Sequence, residues 1–225
     1  MIYLWLWIVP TYQHSNKMST NNNTNTLLDG LLLIAKNEWG IEPDSLKEII
    51  DMIAYHESKR TMNPKIHQIG GGQGRGMLQY EKTYKDKKTG KYGQAGGMTG
   101  RNRLASLLKE YHGDLNVEDS RGYSIDSTWG EIIPDWLIQK GMRDPKIGFD
   151  VSKLSKDRQY SLFIADKLKD PSKSASLKGI NPSDLLKVAN FWADEHWKGD
   201  ASKRPYEIVK FLGNMVKRKF SKQTP

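Results

Sequence analysis

The feature that most constrains this chain is the run from Ser45 to Glu57. Its apolar residues fall at Leu46, Ile49, Ile50, Ile53 and Ala54. That spacing puts them on one face of a helix, and Glu57 continues the same stripe. A helix of this kind must lay its apolar face on a core, and here it carries a carboxyl group toward that core. A carboxylate on an apolar stripe is costly when ionised, so its pKa is expected to rise. A carboxyl group that keeps its proton near neutral pH can serve as a general acid. The competing reading is that the helix end frays and Glu57 reaches solvent. The chain cannot continue as helix far beyond this point. Pro64 lacks the amide donor, and Asn63 before it is pushed toward extended geometry, so a turn is expected just after Glu57. Ahead of the helix stands Pro43-Asp44-Ser45, in which Asp44 or Ser45 can cap the free amides, with Glu48 completing a capping box from Ser45.

The residues beyond Glu57 add a pattern. The chain reads Glu57-Ser58, then Asn63-Pro64, then Gly70-Gly71-Gly72-Gln73-Gly74-Arg75-Gly76-Met77-Leu78-Gln79-Tyr80-Glu81. In order and within this span, these segments resemble the lysozyme-like superfamily, and more closely the lytic transglycosylases and the phage cell-wall hydrolases that share their fold. In those families a Glu-Ser pair ends the catalytic helix and a Gly-Leu-Met-Gln-type segment comes later in the cleft. Here the second segment is Gly76-Met77-Leu78-Gln79, with Met and Leu exchanged. The resemblance implies a mainly α, lysozyme-like catalytic domain with long loops, acting on the β-1,4 bond between N-acetylmuramic acid and N-acetylglucosamine in bacterial peptidoglycan. It implies Glu57 as general acid and then base. Ser58, Gly76, Gln79, Tyr80 and Asn190 are its candidate substrate-binding residues.

Two points stay open under that resemblance. Transglycosylases use one Glu, and a sugar hydroxyl attacks to leave an anhydro end, whereas hydrolases usually need a second carboxylate to orient water. Glu81 stands two places after Gln79, where goose-type lysozymes carry an Asp. It is therefore a second catalytic candidate, unless it is a surface acid paired with Lys82 or Lys85. The transglycosylases also have an Ala-Tyr-Asn-x-Gly segment on a later helix. The nearest match, Val188-Ala189-Asn190-Phe191-Trp192-Ala193, lacks the Tyr and the Gly. Tyr80 can stack on a sugar or pack in the core. Gln79 can bond substrate, orient its loop or simply cap backbone. Trp192 and Trp197 can be sugar platforms, although their spacing leaves at least one for the core. Ser58 is expected to hydrogen-bond near Glu57 and fix its rotamer, and His56, about 100° away on the helix, to be structural.

Charge and composition narrow the alternatives. The formal net charge is +9, which suits an anionic polymer such as the wall, a nucleic acid or an acidic membrane face. No recognition-helix or RNA-binding signature supports specific nucleic-acid binding. The glycine cluster is succeeded by no Gly-Lys-Ser/Thr, so a substrate cleft fits it better than a phosphate loop. There is no cysteine, which excludes disulfides and thiolate metal sites. The five histidines include no His-Glu-x-x-His pair, and neither a metal nor a cofactor is expected.

Along the chain, residues 1–26 are expected to be a flexible or non-native lead-in, 27–220 the catalytic domain and 221–225 a tail. Ile2 to Val9 is too short to span a bilayer and lacks the flanks of a signal peptide, and stable membrane insertion is not expected. Met18 resembles an ordinary start. A phage-encoded protein of this kind would reach the wall with other virion or lysis proteins, either on the virion or from the host cytoplasm or periplasm. Helices are expected over Leu27–Trp39, from Arg103 to Tyr111, from Ser127 to Gln139, from Ser155 to Leu168, after Asn181-Pro182-Ser183-Asp184, and from about Pro205 to Phe220. Long exposed loops are expected from Glu81 to Arg103 and from Val117 to Asp126. A wall-binding or virion structural module on the same fold is the alternative function.

Overall fold

A computed structural model describes residues 27–68, 70–93, 95–110, 149–197 and 199–221. The expectations for residues 1–26, for the segments 117–126 and 127–139, and for residues 222–225 lie outside these. The described part is mainly α-helical, as the run of helical periodicities predicts.

Helix α1 spans Leu27–Trp39 and α2 spans Pro43–Glu57. Two short hairpins come next, β1 (Gly74–Arg75) with β2 (Tyr80–Glu81), and β3 (Tyr84–Lys85) with β4 (Tyr92–Gly93), both antiparallel. Helix α3 covers Gly96–Glu110. After a 3-10 turn at Val151–Lys153 come α4 (Lys156–Leu168), α5 (Pro171–Leu177) and α6 (Leu185–Glu195). Helix α7 (Arg204–Ser221) closes the described chain. Helix α4 is central, packing on α1, α3 and α5, while α7 packs on α2 and α6. One apolar core joins Leu31, Ile49, Ile53, Phe163, Trp192 and Phe211 with residues from every helix. On α2 the buried set is the predicted stripe, with Met52 and His56 added.

Two expectations are corrected here. The capping box does not form. Helix α2 begins at Pro43 after Glu42, whose side chain makes no capping bond, and Pro43 needs none because it has no amide hydrogen. Ser45 therefore lies inside the first turn, and Glu48 pairs instead with Arg218 across to α7. The stretch from Glu81 to Arg103 is not a loop throughout: it holds the two hairpin strands β3 and β4, and α3 starts at Gly96 with Ala95 and Met98 buried. Its polar composition hides the few apolar residues that dock it. Helix α4 stops at Leu168, and Pro171 just beyond it opens α5, with the Asp170 side chain accepting from the Lys173 amide.

Buried polar groups tie the helices into one frame. Gln159 on α4 is fully buried. Its Oε1 accepts from the Met77 amide at 2.9 Å, and its Nε2 donates to the carbonyls of Pro64 (2.8 Å) and Leu154 (3.1 Å). One side chain thus pins the loop after α2 and the segment before Gln79 to the same helix. Asp166 on the same helix receives Arg103 at 2.6 Å and Lys167 at 3.0 Å, and Arg103 reaches on to Asp170 at 2.7 Å.

Candidate active site

The turn expected after Glu57 is tight. Lys59, Arg60 and Met62 all adopt positive φ, a conformation that costs side chains other than Gly about 1 kcal/mol or more each. Ser58 holds it. Fully buried, its hydroxyl accepts from the Met62 amide at 2.9 Å, and its carbonyl accepts from the Thr61 hydroxyl at 2.8 Å. Ser58 therefore shapes the turn and makes no bond to Glu57, which corrects the role expected of it.

The second wall is the β1–β2 hairpin. Gly74 faces Glu81 and Arg75 faces Tyr80 across the ladder, and Met77 and Leu78 in the connection are buried in the core. Gly76 has φ +72°, and a Cβ there would sit 2.4 Å from Gln159 Oε1, so the position needs glycine for both backbone and space. Gln79, also at positive φ, turns its side chain back, and its Nε2 donates to the Gly76 carbonyl at 2.6 Å. His196 anchors the same turn from α6, with Nε2 2.8 Å from the Leu78 carbonyl. Burial, with help from Lys167, pushes the His196 pKa down to about 3. The ring is thus neutral at pH 7, and its proton lies on Nε2, since a carbonyl can only accept.

Between these walls lies a cavity of about 290 Å³. Glu57 lines it, together with Gln79, Tyr80, Glu81 and Trp197. The Glu57 carboxyl is held by Trp192, whose indole Nε1 donates to Oε1 at 2.6 Å. The carbonyl oxygen of a carboxylic acid is the better acceptor, so with Oε1 engaged by the indole a proton on this carboxyl is favoured on Oε2. Burial pushes the Glu57 pKa up to about 7; the Trp192 bond works against this, nearby Glu207 adds to it, and Lys210 and Lys59 lower it. The carboxyl is thus protonated in half or more of the molecules at or below neutral pH. His56 next to it packs its ring edge on Trp192 at 4.4 Å and accepts from Asn214 at 3.1 Å. Burial and the charges of Lys210 and Lys59 lower its pKa to about 4, consistent with a packing role.

The structure brings Glu57, Gln79, Tyr80 and Glu81 to one cavity and leaves out three other sequence candidates. Ser58 and Gly76 build the walls but do not line the space. Asn190 faces away, its amide bonded to the Leu186 carbonyl and its oxygen to Arg204 at 3.0 Å. Tyr80 lines the cavity, but its ring is buried edge-on to His196 with its hydroxyl 3.4 Å from Asp166, so it is a core ring and no sugar platform. Of the loop glycines from Gly70 to Gly76, Gly74 lines the cavity and the others do not, so the glycine-lined cleft shrinks to one position. Glu81 is exposed and, among the described residues, pairs with neither Lys82 nor Lys85. Of the two tryptophans, Trp192 is core and Trp197 lines the cavity.

Sequence reasoning missed Trp192 as the partner of Glu57, and missed His196, Gln159 and the Asp166–Lys167 pair, which also lines the cavity. For Trp192 a signal existed, because a buried indole needs an acceptor for its N–H. Gln159 lies one turn before Phe163 on an apolar face, the same kind of misplaced polar residue that marked Glu57. Nothing comparable marked Asp166 or Lys167.

Among the described residues no group of three His, Asp or Glu side chains is placed to hold a metal ion, and no helix is long and apolar enough to cross a membrane. Compared with protein-family models, curated proteins and solved structures, the chain gives no match.

Proposed function

We propose that this protein is a lysozyme-like glycosidase that cleaves the β-1,4 bonds of bacterial peptidoglycan, with Glu57 as the proton donor. The observation that carries the reading is the carboxyl of Glu57 at a cavity wall, anchored by Trp192 at 2.6 Å with its pKa raised to about 7. Breaking a glycosidic bond requires a proton on the departing oxygen, and a carboxyl still protonated near neutral pH supplies one. The Trp192 bond fixes one oxygen, which leaves Oε2 to deliver the proton and later to take one back. Glu81 on the hairpin lines the same space and is the group available to orient an attacking water. Gln79, locked to the Gly76 carbonyl, sets the shape of that wall, and Trp197 offers an apolar face for a sugar ring. The net charge of +9 suits a polymer bearing peptide carboxylates. The order of the Glu57-Ser58, Asn63-Pro64 and Gly76-Met77-Leu78-Gln79 segments adds the family resemblance, and a phage source with delivery by virion or lysis proteins belongs to the same proposal.

The test is Glu57→Gln in a wall-clearing assay. The amide keeps the Trp192 contact and cannot donate the proton, so clearing is expected to fall by a factor of about 1,000 or more with the circular dichroism spectrum unchanged. Clearing at the wild-type rate would remove Glu57 from the acid role. Binding to walls without clearing by the wild type would favour a wall-attachment module.

A further inference from the structure

Helix α7 presents a second apolar face. Its inner face, with Ile208, Phe211 and Met215, is buried in the core. Yet Tyr206, Val209, Val216 and Phe220 are between 49% and 68% exposed. With Gly213 between them they form one continuous outward stripe at helical spacing. Lys210 and Lys217 lie along one edge of that stripe, Lys203 stands in the 3-10 turn (Ala201–Lys203) just before the helix, and all three are exposed. Lys210 is held by Glu207 at 3.0 Å, while Lys203 and Lys217 form no ion pair among the described residues. Exposed apolar surface bordered by polar residues marks a site of interaction with a protein or a membrane.

We infer that the outer face of α7 is a docking surface for an anionic phospholipid bilayer, lying in the headgroup plane without crossing the membrane. Aliphatic and aromatic side chains bordered by lysines match what an interfacial helix needs: apolar groups to enter the acyl boundary and cations to meet the headgroups. Other occupants fit less well. An antiparallel second copy would set lysine edge against lysine edge. A helical partner would find little more than two heptads of seam with Gly213 at its centre, too short and too hollow for knobs-into-holes packing. Fluid acyl chains fill such a gap without a matching side chain. No residue of this surface lines the cavity, and the inference does not depend on the glycosidase reading.

The test is co-sedimentation of the full chain with phosphatidylglycerol-rich vesicles and with pure phosphatidylcholine vesicles, alongside light scattering of the free protein. Partition to the anionic vesicles is expected, falling in high salt, with the protein monomeric in solution. Val209→Asp with Val216→Asp is expected to weaken it by at least about tenfold. Lys203→Gln and Lys217→Gln, exposed and safe for folding, are each expected to weaken it about fivefold. Equal binding to neutral vesicles, no binding to either, or undiminished binding by both sets of variants would overturn the inference. So would a wild-type oligomer that the aspartates dissociate, which would assign the stripe to self-association.

Discussion

Replacing Glu57 by Gln should stabilise the protein in a pH-dependent way while it removes activity. The carboxyl has a folded pKa of about 7 against an ordinary value of 4.5. Between those two values the folded state holds a proton that the unfolded state has released. Stability therefore falls as pH rises through that window, and the penalty is complete above pH 7. The shift sets a ceiling of about 3 kcal/mol. Glu57 retains some contact with water in the cavity, so we expect about 2 kcal/mol. Gln carries no charge and keeps an oxygen for the Trp192 indole. The stability of Glu57→Gln minus that of the wild type should then be close to zero at pH 4 and climb to about 2 kcal/mol at pH 8. Urea melts of both proteins across this range read the difference directly, and the background cancels. His56 and His196, whose folded values lie near 4 and 3, favour their neutral forms and so lower stability as pH falls below about 6.5. They do so in both proteins. A difference that stays flat from pH 4 to 8 would refute the reasoning, since Glu57 would then ionise in the folded state as it does in water.

Other substitutions separate the roles around it. Glu81→Gln should cut activity by about 100-fold or more if Glu81 orients water, and leave it nearly intact if a sugar hydroxyl attacks, read from initial rates on purified wall. Trp192→Phe keeps the ring packing but removes the donor that lowers the Glu57 pKa, so the basic limb of the kcat/KM profile should move to higher pH. Gln159→Leu removes three buried hydrogen bonds and strands the Met77 amide, at a cost of about 3 kcal/mol in a thermal or urea melt.

The helices are legible because their apolar residues recur at helical spacing. The helix expected over Leu27–Trp39 spans those same residues, and Ser155 caps α4 by accepting from the Arg158 amide. The same logic picks out Glu57, a charge on an apolar stripe, and the proline that forces the chain to turn after it. Hidden from the sequence is whatever depends on distant contacts. Tyr80 and Asn190 carry side chains that serve either a ligand or the fold, and only packing decides: Tyr80 meets His196 and Asn190 meets Arg204. Ser58 suggests itself as a partner of Glu57 because it is adjacent, yet adjacency on a helix end does not bring side chains together. Trp192 lies on an apolar stripe of α6, and nothing local says that its indole reaches across to α2. The helix at Gly96 escapes detection because glycines and polar residues dominate its first turns, while its docking rests on Gly97, whose missing Cβ lets it approach the Phe149 and Glu81 carbonyls.

The most direct measurement is mass analysis of the soluble products that wild type and Glu57→Gln release from purified peptidoglycan, at pH values on either side of 7. Disaccharide-containing fragments from the wild type, declining as pH rises past about 7 and absent with the variant, are the expected result. Fragments of the same masses and yield from Glu57→Gln, or none from the wild type at any pH, would contradict the assignment of Glu57 as the proton donor.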